Sequence, residues 1–459
     1  MAASNPTTAY GGSWYEATMA AAAPRGKLTM DLDVDVCVVG AGLAGLTAER
    51  EIAQQGWSVV VLEAQKIAWN ASGRNTGFVL PGYACDAQKI IERVGRDAAK
   101  ALWALSETGF EYVRAASREM RGVEVTEGGW LNVSKFDEDA ETKRYAELLA
   151  EALGAEVEFW PEERVRDQLK SPLYFGGINY PKAFSIHTLN YALGLASAAE
   201  VAGARIFEDT PAIEIDPAGV RKRVVTPLAR VRATNVVLAG NVQITRVLPK
   251  IGRMLVPIST YVITTAPLGE QLRAAISYPG AVSDTELADN HYRVVGGDRL
   301  MWSGRSTAWR GNPRRYVRPL IADIRNAYPQ LGEIKVDYAW TGTLGNTVHR
   351  MPQIGEWSPG CWLLSGFGGH GINTTAMGGV LIARAIVDND QTWRQFVPFE
   401  LVWAGGLIGR AAIQVYYWNY RARERYKSKR ALERRRKAQN DRERAASDTP
   451  QAVVPSGKS

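Results

Sequence analysis

The chain has 459 residues, of which 46% are hydrophobic and 22% charged. That is enough to bury a large core at near-average globular composition, and it excludes disordered, collagen-like and disulfide-scaffold classes. Fifty-five Lys and Arg against 48 Asp and Glu give +7 and a pI of about 9.2, which points to an anionic partner only if the excess is spread over the body of the protein.

The first 30 residues read as an irregular leader whose Trp14-Tyr15 pair is expected to dock on the body. Glu16 and the lack of a basic cluster ahead of the Ala-rich stretch at 19–23 argue against a secretory signal. Residues 35–39 form a short apolar run, 43–55 carry helix formers and 58–63 repeat the strand signal, a β-α-β unit. Helices are expected over 86–118 and 137–153, and strands over 123–133 and 256–265. A hairpin at 224–233 leads into a buried strand at 235–240, and another at 291–302 turns at Gly296-Gly297. A last strand at 361–365 precedes a glycine-rich turn and a helix to about residue 387. Rossmann-like segments thus recur at three places. The expected fold is α/β, with a dinucleotide-binding domain (31–100, 185–245 and 340–395) interleaved with an α+β substrate domain (101–184 and 246–339) containing an antiparallel sheet. An apolar segment, 396–420, and a basic tail, 421–459, follow. No tract reaches the ~18–20 apolar residues that cross a bilayer, because Arg410 interrupts 401–418. A cytoplasmic protein is the default. The three cysteines, Cys37, Cys85 and Cys361, lack C-x-x-C spacing, so neither a disulfide framework nor a metal site is expected.

Gly40-Ala41-Gly42-Leu43-Ala44-Gly45 is a G-x-G-x-x-G between a strand and a helix, followed by Glu63-Ala64 after the second strand. Gly40 permits the tight turn, Gly42 the approach of a pyrophosphate and Gly45 close helix packing; Glu63 takes ribose hydroxyls. The phosphates sit on the helix N-terminus. Gly366-Phe367-Gly368-Gly369-His370-Gly371 matches the same pattern, but no second strand ending in an acid follows it. One complete unit plus a second glycine-rich helix start fits a single FAD, with the second helix aimed at the flavin ring. Ala71-Ser72-Gly73-Arg74-Asn75-Thr76-Gly77, just after the ribose acid, offers donors to phosphate or flavin edges.

Together with Val237-Leu-Ala239-Gly240-Asn241, Tyr338-Ala-Trp340-Thr-Gly342, Arg350-Met-Pro-Gln353 and Gly366–Ile372, these motifs resemble the D-amino-acid oxidase-like flavoprotein superfamily, and within it the γ-glutamylputrescine oxidases. The resemblance runs from about Trp14 to Tyr417. It implies a Rossmann-like FAD-binding domain and a substrate domain whose antiparallel sheet covers the flavin, with Ala212, Ala239, Gly240 and Ile372 among the FAD contacts. It also implies oxidation of a C–N bond in an amine or amino-acid derivative to an imine, then aldehyde plus amine or ammonia, with O2 reoxidising the flavin. Thr76 replaces a usual glycine. No cysteine matches a covalent-attachment position, so FAD is expected to be non-covalent. Relatives of the sarcosine-oxidase type activate oxygen with a lysine where this chain has Met301 and Trp302.

His370, within the glycine-rich helix start, is expected to face the ring as a catalytic group. His349, beside Arg350, and Tyr261 are the other catalytic candidates. Tyr292, Trp302 and Trp340 fall on strands expected to roof the flavin and are candidates for an aromatic cage around the amine, set against the commoner reading of aromatics as core. His187 and His291 read as ordinary strand or loop residues.

Residues 421–446 hold twelve Lys or Arg and four acids, a surplus of eight that leaves −1 for everything else. A solvated helix or partly disordered tail is expected there. Peripheral contact of this C-terminal segment with the inner, anionic membrane face competes, because interfacial aromatics precede the basic run. Nucleic acid is a poor third. The alternative function is accordingly a membrane-surface dehydrogenase passing electrons to a quinone or carrier.

Overall fold

The structure, a computed structural model, describes residues 10–284 and 290–447. The apolar runs form a parallel sheet in the order Arg205–Phe207, Val59–Leu62, Leu32–Val39, Arg230–Leu238 and Cys361–Ser365. Alternate side chains of Leu32–Val39 enter different cores. Val36 and Val38 pack with helices Leu43–Gln54, Thr188–Val201 and Gly371–Val387, and Cys37 and Val39 pack with Ile215 and Val224 of a covering hairpin. Burial on both faces is why these strands read as unbroken apolar runs.

The second large sheet runs Val336–Asn346, Val256–Thr265, Arg299–Thr307, His291–Val295, Ala281–Ser283, Trp130–Val133, Gly177–Tyr180 and Glu158–Trp160. Every pairing is antiparallel except that of Ala281–Ser283 with Trp130–Val133. Its two faces serve two cores. Tyr261, Tyr292 and Trp302 point to one, built with Tyr174, Leu320 and Tyr328. Val262, Met301 and Trp340 point to the other, shared with the helices over the parallel sheet.

Several boundaries differ from expectation. The helix expected over 86–118 breaks at Gly95 into Ala87–Val94 and Arg96–Glu119. Although it lies mostly in the span assigned to the substrate domain, Arg96–Glu119 packs on Gly371–Val387, where Asn373 Nδ2 donates to the Ser106 carbonyl at 3.4 Å. The strand expected over 123–133 is two strands in different sheets: Val125–Glu127 pairs with Phe184–Ile186, which also pairs with Phe78–Val79. The boundary expected at 340 falls inside the strand Val336–Asn346. Tyr15 of the leader is fully buried, edge-on to His187 at 4.9 Å and Trp340 at 6.1 Å.

The tail forms one helix, Gly406–Ser447, about 63 Å long at 1.5 Å per residue. It is not simply solvated, because one side is strapped to the body. Ala308 N–H donates to Gln414 Oε1 at 2.9 Å, Lys135 pairs with Glu424 at 2.8 Å, and Arg435 donates to the carbonyls of Pro172 and Tyr174 at 2.6 and 2.9 Å. Among the described residues no helix is long and apolar enough to cross a membrane.

Candidate active site

Two adjoining cavities open where the parallel sheet, the Ser72 loop and the antiparallel sheet meet. The first, about 370 Å³, is lined by Gly40, Ala41, Gly42, Glu63, Ala64, Ser72, Ala212, Ala239 and Gly240 among others. The second, about 280 Å³, is lined by Leu43, Ser72, Asn75, Thr76, Gly368, Gly369, His370, Gly371 and Ile372 on one side. Its other side carries Phe78, Trp130, Asn132, Ser283, His291 and Arg350. Ala71, Ser72 and Asn241 line both cavities and form the seam.

The fingerprint is built as its glycines require. Gly40 has φ +109°, and a Cβ on Gly45 would sit 2.1 Å from the Gly40 carbonyl oxygen, so only glycine lets this helix approach its strand. The Glu63 carboxylate accepts the N–H groups of Ala41 and Gln65, each at 2.8 Å. Burial pushes its carboxyl upward, and those two backbone N–H groups act against that shift. Ser72 Oγ accepts the Leu43 N–H at 3.0 Å, which ties the loop to the helix start.

Other candidate positions act from behind the cavities. Ala44, Gly45, Gly73, Arg74, Gly77 and Gly366 line neither. Arg74 is buried, lies over the Trp69 ring at 4.9 Å and donates to the Thr341 carbonyl. Burial and the nearby Arg310 lower its pKa to about 10, which leaves it charged at neutral pH. Trp340 Nε1 donates to the Arg74 carbonyl at 3.0 Å. Arg74 and Trp340 therefore shape the loop rather than touch what it holds.

His370 lines the second cavity, and its Nε2 faces the carbonyls of Leu80 at 3.2 Å and Pro81 at 3.0 Å. Two acceptors there assign the proton to Nε2, and burial lowers the pKa, so the ring is neutral. His349 lines neither cavity: Nδ1 accepts the Met351 N–H at 3.1 Å and Nε2 donates to the Glu400 carbonyl at 3.1 Å. It is a turn-holding residue, which removes it from the catalytic candidates.

Tyr261, Tyr292 and Trp302 are likewise corrected, because none lines a cavity. Tyr292 stacks on Trp302 at 4.2 Å and 9°, and its hydroxyl lies 2.7 Å from that of Tyr328. Tyr261 stacks on Tyr316 and accepts the Gly311 N–H at 2.8 Å. The cause is strand parity: successive side chains face opposite ways, so Tyr292 turns into the second core while His291 turns into the cavity.

His291, read from sequence as an ordinary residue, belongs to a polar chain. Trp130 Nε1 donates to Ser283 Oγ at 2.9 Å, and Ser283 Oγ is hydrogen-bonded in turn to His291 Nδ1 at 2.6 Å. Burial lowers the His291 pKa to about 4. Among the described residues, Arg350 supplies the only charged side chain lining the second cavity. It holds φ +63°, an uncommon conformation for a non-glycine residue, and among the described residues its guanidinium has no hydrogen bond or ion pair. Asn241 also has positive φ, +48°, and its buried Oδ1 has no partner. Positive φ on Asn241 and Arg350 is invisible in a residue string.

These residues fit FAD. Glu63 suits ribose hydroxyls, the N–H groups at the start of Leu43–Gln54 suit a pyrophosphate, and Arg246 and Arg310 add positive charge to the first cavity's wall. Asn241 Oδ1 is an unused acceptor at the seam, and Cβ atoms on Gly369 or Gly371 would meet nothing within 4 Å. The family description "DAO: FAD dependent oxidoreductase" matches residues 35–385.

The chain belongs to the DAO family of FAD-dependent oxidoreductases.

Within this family, the chain is 32% identical over 385 residues to the gamma-glutamylputrescine oxidoreductase of Escherichia coli K12, covering 83% of this chain and 89% of that one. It is 29% identical over 413 residues to the "Probable oxidoreductase OrdL" of Haemophilus influenzae, covering 87% and 94%. Glycine oxidase from Geobacillus kaustophilus shares the fold with a TM-score of 0.67 at 20% identity, covering 81% of this chain and 99% of that one. L-proline dehydrogenase from P. horikoshii does so with a TM-score of 0.68 at 18% identity, covering 81% and 100%. The DAO-type fold thus extends over both sheets.

Proposed function

We propose that this FAD-dependent oxidoreductase oxidises the C–N bond of an amine carrying a remote carboxylate, with γ-glutamylputrescine-like compounds as the substrate class and dioxygen as acceptor. One observation carries the reading: among the described residues, Arg350 has no hydrogen-bond or ion-pair partner for its guanidinium and stands in a cavity wall of otherwise uncharged side chains. A guanidinium there binds a carboxylate bidentately. Among the described residues no acid lines the wall, so none of them offers an ammonium a counter-charge, and the substrate nitrogen enters as the neutral amine with its lone pair free. The name of the Escherichia coli relative supports the substrate class, since γ-glutamylputrescine has a carboxylate at one end and an amine at the other.

The residues lining the two cavities would hold FAD without a covalent bond, and when bound it would supply the two-electron acceptor. The residues around it orient and desolvate. Arg350 fixes the carboxylate end, Phe78 and Trp130 exclude water, and neutral His370 and His291 present ring nitrogens without adding a charge. In net terms CH–NH becomes C=N, O2 takes the two electrons and two protons to become H2O2, and water then releases carbonyl and amine or ammonia.

A second reading keeps the oxidation but delivers the electrons to a membrane quinone; the exposed Leu407, Ile408, Val415 and Trp418 of the helix Gly406–Ser447 favour it. Steady-state turnover of γ-glutamylputrescine with peroxide and quinone reduction measured together tests both. One peroxide per substrate supports the oxidase, quinone reduction with little peroxide supports the dehydrogenase, and no turnover of any carboxylated amine overturns the proposal.

A further inference from the structure

The helix Gly406–Ser447 has an inward side that Gln414, Tyr417, Glu424 and Arg435 fasten to the body. Its outward side changes character along its length. Over the first four turns it exposes Leu407 (73%), Ile408 (82%), Val415 and Trp418 (61%), with Ala411 and Ala412 between them. Arg410, the only charged residue between 401 and 420, is spent inward on the Ala308 carbonyl at 2.8 Å. The segment leading into the helix adds Val402 and Trp403 (62%) to the same end. Scattered single apolar residues on a surface need no explanation, but a contiguous set of this kind marks an interaction site.

From residue 421 the exposed side turns cationic. Between 421 and 437, Arg423, Arg425, Lys427, Lys429, Arg430, Arg434, Arg436 and Lys437 are exposed, against Glu433 as the sole exposed acid. The one other acid in this stretch, Glu424, is turned inward onto Lys135. The surplus of positive charge on the chain is therefore laid along one rigid helix, next to an uncharged aromatic-bearing patch, while the inward face holds both at a fixed orientation. An apolar patch edged by Trp and Tyr and followed by Lys and Arg matches the boundary of an anionic bilayer: the apolar side chains enter the headgroup region and the cations meet the phosphates. No described helix is apolar enough to cross the membrane, so the geometry is that of a helix lying on the surface.

We infer that residues 401–437 form a docking face for an anionic phospholipid membrane, with Trp403, Leu407, Ile408, Val415 and Trp418 inserting and the basic residues after them supplying electrostatic attraction. The face lies outside both cavities, so docking is independent of the substrate proposed above.

Sedimentation of the full-length holoenzyme with vesicles tests this. Vesicles of phosphatidylcholine with a third phosphatidylglycerol are expected to bind it, and pure phosphatidylcholine vesicles to bind about tenfold more weakly or less, with the difference shrinking as salt rises. The double variant Ile408→Glu, Trp418→Glu is expected to lose vesicle binding while keeping its bound flavin. The triple variant Arg425→Ala, Lys429→Ala, Arg430→Ala is expected to retain only the salt-insensitive share. Hydrogen exchange on the unmodified protein gives a readout that needs no variant: anionic vesicles are expected to protect 401–420 and leave the fingerprint helix unchanged. Absence of binding to anionic vesicles, or binding without protection of 401–420, overturns the inference. So does a stable dimer in solution that the double variant converts to monomer, since a second copy of the chain would then cover this face.

Discussion

Ser283 Oγ stands 2.6 Å from Nδ1 of His291, and it is held there by Trp130 Nε1 at 2.9 Å on its other side. Because Trp can only donate, Ser283 Oγ accepts from it and keeps its own hydrogen and a second lone pair for the bond to His291 Nδ1. Burial makes a charge on this ring costly.

That arrangement sets a pH dependence. The folded pKa of His291 is about 4 against an ordinary 6.5, so between those values the unfolded chain binds a proton that the folded chain refuses. Stability is therefore complete above about pH 6.5 and falls as pH drops toward 4, by about 1.4 kcal/mol per pH unit for this group. His187, a helix cap with its pKa also near 4, adds a second contribution of the same sign. In denaturant melts across this range, His291→Gln is expected to flatten the acid slope by about one proton's worth. An unchanged slope would remove His291 from the set of buried neutral groups.

Arg350→Ala is expected to raise KM for a carboxylated amine about 10- to 100-fold, the loss of a charge-assisted hydrogen-bonded pair, with a smaller effect on kcat. Arg350→Lys keeps the charge but not the bidentate fork and is expected to fall between. An amine lacking the carboxylate should respond little to either change. Initial-rate kinetics on the paired substrates checks the pattern.

Gly45→Ala places a methyl group where the Gly40 carbonyl oxygen is 2.1 Å away. The helix start must then move off the strand, and FAD affinity is expected to fall about tenfold or more. The ratio of visible flavin absorbance to protein after gel filtration measures this. The thermal shift on adding excess FAD provides a second check, since the variant should need more cofactor for the same gain.

Trp302→Ala separates core from cage. Trp302 is fully buried and stacked on Tyr292 at 4.2 Å, so the variant is expected to lose about 3–5 kcal/mol of stability. Its KM in the folded fraction should be nearly unchanged. A large KM effect at preserved stability would put the side chain in the substrate cavity after all.

The parts of the fold legible in the sequence are those with a strong local pattern. The apolar runs at 35–39, 59–62 and 361–365 and the G-x-G-x-x-G between the first two specify the parallel sheet and the adenosine end of the site, because a strand buried on both faces has no alternation to misread. The antiparallel sheet is not legible in the same way. Its strands alternate between two apolar cores, so Tyr292 and His291 give no sequence cue to which one faces the cavity, and a shift of one residue exchanges them. Aromatic content favoured Tyr292, Trp302 and Tyr261, whereas the cavity wall takes His291, Ser283 and Trp130. Arg350 and Asn241 were in view as residues, but their left-handed backbone and free polar atoms arise only from the tertiary frame. The contacts that hold the tail to the body are not legible because they are sparse among many charges, at Gln414, Tyr417, Glu424 and Arg435.

Anaerobic addition of γ-glutamylputrescine to the purified holoenzyme tests the proposed chemistry most directly. The expected result is loss of the visible flavin absorbance with one substrate consumed per flavin, faster as pH rises through the substrate amine's own titration and about tenfold or more weaker in apparent affinity for Arg350→Ala. Flavin that is fully bound yet keeps its oxidised spectrum with γ-glutamylputrescine and with a panel of carboxylated amines and amino acids would contradict it.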